Sequence, residues 1–292
     1  MIVDKMSPQN TNLKSYEVIE YGEGPTYSRK LHKDGRVQRF IPSVFAPPTV
    51  DPQTGVESKD VVVSPETGVK ARIFLPKFNG SGPIKLPLVV HYHLGAFCVG
   101  SALSTTTAQF LTRLVSEANI VAVSVDYRLA PEHPLPAAFD DSWSALRWIS
   151  THSTGDGPES WLNQYVDFER VFLVGGSAGA TIAHYVAVRA GTTTGLEGLR
   201  ERGAVIVHPY FAGNEPDPMM RFLYPGSNGT DSDPKLNPKA DPDFGKVGCE
   251  KVLVLVAEKD ELKPRGVEYC EALRSSGWEG EDVSGQVAHT SD

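Results

Sequence analysis

One stretch of sequence decides the fold: Val171-Phe172-Leu173-Val174-Gly175-Gly176-Ser177-Ala178-Gly179-Ala180. Its apolar start has the composition of a buried strand, and the glycines that follow end that strand. Gly175 and Gly179 flank Ser177 with the Gly-x-Ser-x-Gly spacing of a sharp turn between a strand and a helix. Both flanks require glycine because the backbone around the serine is strained and the helix packs closely on the strand. The pattern predicts an exposed, nucleophilic Ser177.

The rest of the chain alternates short apolar runs with helical stretches. Strands are predicted at 70–75, 88–93, 120–125, 204–207 and 252–256, and helices at 107–118, 138–151, 178–190 and 266–276. Such alternation is typical of an α/β fold with a mostly parallel central sheet flanked by helices. We expect residues 1–60 to form an N-terminal cap segment and residues 61–292 to form the core. The Pro-, Asp- and Gly-rich segment at about 214–244 is interpreted as a lid-like excursion.

Composition excludes several classes of function. The net charge of −8 argues against a nucleic-acid partner, because phosphates are bound by clustered Lys and Arg. No run approaches the roughly 20 apolar residues of a membrane helix, and the first residues do not resemble a signal peptide, so we expect a cytoplasmic protein. Cys98, Cys249 and Cys270 are scattered, which indicates neither a disulfide framework nor a zinc site. No cofactor or metal is predicted, and the oligomeric state is left open.

A second loop supplies the donors that a nucleophilic serine needs. His93-Leu94-Gly95-Ala96-Phe97 follows a predicted strand, where serine hydrolases place a His-Gly-Gly loop whose amides stabilise an oxyanion. We predict Gly95, Ala96 and Ala178 as donors, with His93 in the substrate-binding loop. A phosphate-binding Gly-x-Gly-x-x-Gly turn is the alternative, but it would require glycine at positions 177 and 180, which are Ser and Ala.

The acid and the base are less clearly marked. The usual order is serine, acid, histidine, and Asp260 follows the strand predicted at 252–256. Glu258 and Glu261 compete with Asp260, and helix capping is the structural alternative for Asp260 itself. His289 is then the base that follows the acid in the chain.

Two other histidines follow the serine. His184 lies inside the helix after Ser177 and is interpreted as structural. His208 ends the strand predicted at 204–207 and approaches the site, but it precedes the acid in the chain.

The chain resembles the plant carboxylesterases of the hormone-sensitive-lipase-like branch of α/β-hydrolases. The resemblance rests on Lys33-Asp34-Gly35-Arg36-Val37, Asp51-Pro52-Gln53-Thr54-Gly55-Val56, the His93 loop, Asp126-Tyr127-Arg128-Leu129-Ala130-Pro131-Glu132-His133, Pro136-Ala137-Ala138, the Ser177 turn, Lys251-Val252-Leu253-Val254 and Ser276-Gly277-Trp278. It implies an α/β-hydrolase fold, Ser177 as nucleophile, Asp260 as acid, the same oxyanion donors, and structural roles for Arg128 and Glu132.

The chain departs from the family pattern at several positions. Leu94 replaces the first glycine of the oxyanion loop, Pro264 stands where relatives carry Asp, and the segment 213–222 is short. Gln286 aligns with the family's histidine, and the expected closing helix is absent, so we expect a truncated C-terminus. Because an amide cannot accept a proton near neutral pH, glutamine at that position would impair catalysis.

The leading hypothesis is therefore a carboxylesterase that acts on a small-molecule acyl ester through an acyl-enzyme, with His289 supplying the base. One alternative is a receptor-like binder of a hydrophobic ligand without catalysis. Others are an inactive truncated paralogue and a lyase of the dehydratase or cyclase type, since this branch also includes a 2-hydroxyisoflavanone dehydratase, cyclases and the gibberellin receptor.

Overall fold

The computed structural model describes residues 43–78, 85–194, 196, 198–212, 223–227 and 233–280. It also describes the backbone of four strands at 17–19, 29–31, 37–39 and 281–288. The chain divides into two compact units, Met1–Pro42 and Ser43–Asp292. In the first unit, β1 (Glu17–Ile19), β2 (Arg29–Leu31) and β3 (Val37–Arg39) form a three-stranded antiparallel sheet in that order.

Among the residues that the structure describes, the second unit contains eight strands and five helices that are described along their full length. Its strands are β4 (Glu57–Ser64), β5 (Val69–Leu75), β6 (Leu86–Tyr92), β7 (Val121–Asp126), β8 (Val166–Gly176), β9 (Glu201–Val207), β10 (Lys251–Ala257) and β11 (Glu281–Ala288). Its helices are α1 (Thr105–Ala118), α2 (Ala137–Ser150), α3 (Ser160–Tyr165), α4 (Ala178–Thr192) and α5 (Lys263–Ser275), with 3-10 turns at Pro238–Ala240 and Phe244–Lys246.

The eight strands form one sheet in the order β11-β10-β9-β8-β6-β7-β5-β4. The six strands from β6 to β11 run parallel to one another, and β5 and β4 are added beside β7 through antiparallel pairs. This confirms the predicted mostly parallel sheet with flanking helices. Because the strands are parallel, the loops that leave β6, β8, β9 and β10 at their carboxyl ends emerge at one edge of the sheet.

Burial explains why these segments form strands and helices. The middle of β6 is buried, as expected for a parallel strand covered on both faces. On α1, Leu111 and Val115 are buried four residues apart and pack with Phe74 and Val89 of the sheet. Helix α4 is buried along most of its length, so it packs tightly behind the strand that carries the elbow.

The predicted boundary at residue 60 between the N-terminal cap segment and the core stays a prediction. Strand β4 begins at Glu57 and belongs to the eight-stranded sheet, so it crosses position 60. Residues 214–222 and 228–232 of the predicted excursion lie outside the described residues, and its described part contains the first 3-10 turn. Among the helices that the structure describes, none is long and apolar enough to cross a bilayer.

Candidate active site

The turn at Ser177 has the strained geometry that the sequence predicts. Ser177 lies between β8 and α4 with φ 52° and ψ −117°, a backbone conformation that L-residues rarely adopt. A Cβ on Gly175 would lie 2.0 Å from the carbonyl oxygen of Gly179, and a Cβ on Gly179 would lie 2.1 Å from that of Tyr92. Both glycines are therefore required by close packing of backbone against backbone.

Backbone hydrogen bonds hold Ser177 against the strand beside it. Its amide donates to the carbonyl oxygen of Val207 at 2.8 Å, and its own carbonyl accepts from the amide of Tyr210 at 3.3 Å. The side chain of Ser177 makes no capping hydrogen bond to α4 and is partly exposed. A rigid backbone with an uncommitted hydroxyl is what a nucleophile at a helix N-terminus requires.

The loop after β6 is also strained, at the position predicted for oxyanion donors. Gly95, Ala96 and Phe97 have φ values of 131°, 49° and 61°. Within the described chain, the amides of Gly95 and Ala96 have no backbone partner. The amide of Ala178, in the first turn of α4, has no intrahelical acceptor. These three N–H groups are available at the edge of the sheet where Ser177 lies, as an oxyanion site requires.

Buried contacts fix this loop. The His93 ring stacks on Tyr127 with centroids 4.1 Å apart, and its Nδ1 lies 2.8 Å from the carbonyl oxygen of Leu94. The hydroxyl of Tyr127 donates to the His93 carbonyl at 2.7 Å, and the amide of Ala130 donates to Phe97 at 2.9 Å. Burial lowers the pKa of His93. His93 therefore positions the loop as a neutral ring.

Arg128 has the bracing role that the resemblance implies. Its guanidinium forms a bidentate pair with the buried carboxylate of Asp141, at 2.8 Å from Nη2 and 2.9 Å from Nε. Asp126 accepts from Ser101 Oγ at 2.6 Å and from the Ala102 amide at 2.9 Å. The segment after β7 thus ties α2 and the end of the oxyanion loop to the sheet.

Asp260 lies in the turn between β10 and α5 and contacts a histidine. Its Oδ1 accepts from the amide of Leu262 at 2.8 Å, and its Oδ2 lies 3.0 Å from Nδ1 of His208. The carboxylate therefore both stabilises its own turn and faces an imidazole. The N-cap of α5 is Leu262 and has no side-chain capping bond, so Asp260 stabilises the turn before the helix rather than capping it.

His208 directly follows β9, and the sequence order of acid and base gave it no role. It has φ 46°, its amide donates to Leu255 at 2.8 Å, and its side chain is 32% exposed. The Ala257 amide also lies 3.2 Å from its Nδ1. One signal in the sequence was available, because His208 directly follows a predicted strand. The structure adds that β9 lies between the strands that precede Ser177 and Asp260.

The predicted base, His289, lies outside the described residues and stays a prediction. Gln286 is part of β11, where its backbone pairs with Leu255 of β10. His184 is buried in α4, with Nδ1 3.1 Å from the hydroxyl of Tyr269, and burial lowers its pKa to about 3. This is the structural environment that its position in the helix predicted.

The three cysteines are free and buried. Cys98 lies in the oxyanion loop, where its Sγ is 2.8 Å from the carbonyl oxygen of Ala96. Burial raises the pKa of Cys249 to about 12, so this thiol is protonated at neutral pH. Cys98 thus contributes to the internal packing of the loop.

Comparison with known families decides the class to which this site belongs. Residues 89–289 match a family described by the α/β hydrolase fold. The chain belongs to this family. The α/β-hydrolase match includes Ser177, His208 and Asp260, and it confirms the fold class predicted from the sequence.

Similar α/β-hydrolases include plant enzymes and microbial esterases. A 2-hydroxyisoflavanone dehydratase of Glycyrrhiza echinata is 42% identical over 86% of this chain and 83% of its own length. Probable carboxylesterase 2 of Arabidopsis thaliana is 43% identical over 86% of this chain and 82% of its own. These relatives confirm the predicted resemblance to plant carboxylesterases.

Two solved esterase structures support the same relationship. An esterase from Pyrobaculum calidifontis superposes with a TM-score of 0.62 at 25% identity, covering 80% of this chain and 74% of its own. The esterase LipW from Mycobacterium marinum gives 0.61 at 27% identity, covering 80% and 72%.

Proposed function

We propose that this α/β-hydrolase cleaves a small-molecule carboxylic ester through an acyl-enzyme formed on Ser177. The observation that carries the proposal is the elbow, which holds Ser177 at φ 52° with its hydroxyl free of a capping bond. The carboxylesterase relatives and esterase structures confirm the predicted class of enzyme, a carboxylic ester hydrolase. The residues assigned to the individual steps are our proposal.

In this proposal, the hydroxyl oxygen of Ser177 attacks the carbonyl carbon of the ester. Negative charge develops on the carbonyl oxygen, and the amides of Gly95, Ala96 and Ala178 stabilise it. Loss of a single donor of this kind costs roughly 10² to 10³ in rate in a comparable enzyme. Asp260 orients the imidazole that takes the serine proton. Its carboxylate fixes the tautomer of that ring and stabilises the positive charge that the ring acquires.

The alternatives are less well supported. A receptor-like binder and an inactive paralogue do not need an open hydroxyl beside unpaired amides, and the relatives named above are enzymes. A lyase remains a distinct outcome, because one relative is named for dehydration of a 2-hydroxyisoflavanone. A cytoplasmic location and the absence of nucleic-acid partners stay predictions, the second supported by the net charge of −8.

The test uses the full chain, Ser177→Ala and a matched exposed serine, Ser275→Ala. The full chain and Ser275→Ala should hydrolyse p-nitrophenyl acetate and react with a fluorophosphonate probe. Ser177→Ala should lose both activities, with hydrolysis reduced by roughly 10³-fold or more. A folded protein that neither hydrolyses the ester nor reacts with the probe would contradict the proposal. Dehydration of a 2-hydroxyisoflavanone without ester hydrolysis would indicate a lyase instead.

A further inference from the structure

We propose that His208 is the general base for Ser177, so that the catalytic set runs Ser177, His208, Asp260 along the chain. This inference rests on the proposed ester hydrolysis at Ser177 and names the residue that removes its proton. It differs from the expectation that the base follows the acid and is supplied by His289. Chain order does not constrain the set, since the same three groups occur in several orders on unrelated folds.

The register of the sheet places His208 beside Ser177. In the parallel pair of β8 and β9, Gly176 pairs with Val207, so the next residues, Ser177 and His208, leave the two strands side by side. Neighbouring strands lie about 4.8 Å apart. The Ser177 amide donates to Val207 at 2.8 Å, and the Ser177 carbonyl accepts from Tyr210 at 3.3 Å. The backbone of Ser177 is therefore hydrogen bonded on both sides of His208.

The carboxylate of Asp260 orients the imidazole. Oδ2 of Asp260 lies 3.0 Å from Nδ1 of His208, while Oδ1 is held by the Leu262 amide at 2.8 Å. The Ala257 amide, 3.2 Å from the same Nδ1, competes as a donor. A hydrogen bond to a carboxylate is charge-assisted and stronger, so the tautomer with its proton on Nδ1 is favoured. Nε2 then carries the lone pair that a general base needs.

Among the described residues, His91 and His93 on and after β6 are engaged in other contacts. His91 is buried with Nδ1 2.9 Å from Ser124 Oγ, and burial lowers its pKa to about 3. His93 is stacked on Tyr127 and bonded to its own loop. His208 differs from both because its ring is partly exposed and faces a carboxylate. Partial exposure leaves its second nitrogen accessible to a substrate.

The chemistry closes with these groups and water. Ser177 Oγ bonds to the ester carbonyl carbon as its proton passes to Nε2 of His208, and the π electrons of the carbonyl move to its oxygen. The carbonyl then re-forms, the bond to the alcohol oxygen breaks, and the alcohol leaves with the proton from Nε2. Water next gives a proton to Nε2 and attacks the acyl carbon. Ser177 leaves with that proton, and the carboxylic acid is released.

The test compares His208→Gln with two matched variants, His289→Gln and the exposed His133→Gln. His208→Gln should lower kcat for p-nitrophenyl acetate by roughly 10⁶-fold with little change in KM, the order of loss that follows removal of the base of a catalytic triad. It should also lose the acid limb of the pH profile of kcat/KM. His133→Gln, at an exposed position, should stay within about twofold of the full chain. If His208 is the base, His289→Gln should also keep turnover close to that of the full chain.

Three results would overturn this inference. In an active protein, unchanged turnover of His208→Gln would show that His208 is not the base. Loss of turnover in His289→Gln alone would show the same. Neither result would contradict the proposed ester hydrolysis. A wild-type chain that is folded but inactive would overturn the proposed function as well.

A measurement on the unmodified sequence covers the case in which His208→Gln fails to fold. Phosphonylation of Ser177 should shift the side-chain nitrogen resonances of His208, as measured by NMR before and after the reaction. A shift confined to His289 would overturn the inference.

Discussion

The two sides of the active site differ in how their residues are positioned. On the serine side, a local turn places Ser177, and the required glycines are its near neighbours in the chain. On the base side, His208 and Asp260 come from loops 52 residues apart, after β9 and β10, and meet through the order of strands in the sheet. A local motif is readable in sequence, whereas a tertiary meeting depends on register and strand order.

The largest expected effect breaks the serine side. Replacing Gly179 with Ala places a Cβ 2.1 Å from the Tyr92 carbonyl oxygen. Alanine favours a helix by about 1 kcal/mol over glycine, but overpacking costs about 1 to 3 kcal/mol and moves the elbow. We expect a lower Tm. Because a displacement of a catalytic group by about 1 Å can lower the rate 10²-fold, we also expect ester hydrolysis to fall by at least that factor.

Gly176→Ala is the matched control for stability. A Cβ at this position would meet only Leu94 side-chain atoms among the described residues, at 3.8 Å or more. Thermal melts should therefore show a smaller change for Gly176→Ala than for Gly179→Ala. Equal melting temperatures for both variants would contradict the close-packing explanation of the elbow.

The next largest effect concerns a buried carboxyl group at the start of β9, the strand that precedes His208, and the pH dependence of stability that it causes. Glu201, at the start of β9, is buried without a partner for either carboxylate oxygen in the described chain, and burial raises its pKa to about 8. The unfolded chain ionises near the ordinary pKa of Glu, whereas the native chain stays protonated. Stability is therefore complete below about pH 4.5 and falls as the pH rises toward 8.

Glu201→Gln should remove this pH dependence. At pH 8 we expect the free energy of unfolding of the variant to exceed that of the wild type by about 2 kcal/mol. This is less than the full pKa shift implies, because relaxation and water penetration reduce the cost of the buried charge. The difference should vanish at about pH 3, below the ordinary pKa of Glu, where Glu201 is protonated in both states. Denaturant melts at both pH values measure it, with the exposed Glu169→Gln as control. A difference independent of pH would contradict the assignment.

The comparison also explains how much the sequence could predict. Most strands and helices of the core follow from apolar periodicity, and the elbow follows from Gly175 and Gly179. Strand β4 and the short helix α3 were not predicted. The usual chain order of acid and base in related folds gave His208 no catalytic role. Its contact with Asp260 depends instead on the position of β9 between β8 and β10. Strand β11 was missed because its polar sequence, Glu281 to Ala288, has only weak strand character.

The smallest effect concerns Leu94, where the resemblance implies glycine. Its side chain is 54% exposed, and its Cβ lies 3.8 Å from the position that a Cβ on Gly176 would occupy. We expect an apolar side chain at this position, next to the elbow, to narrow the space for the acyl group. Leu94→Ala should therefore raise kcat/KM for p-nitrophenyl hexanoate relative to acetate by about 10-fold, the lower end of the range expected for one methylene in an apolar pocket.

The exposed apolar residue Val267 on α5 provides a control of similar chemistry away from the turn. Val267→Ala should leave the ratio of hexanoate to acetate turnover unchanged. If Leu94→Ala also leaves it unchanged, the side chain does not limit the acyl pocket. The serine side would then be set entirely by its backbone, because its strained φ values and its unpaired amides do not depend on the side chain at position 94.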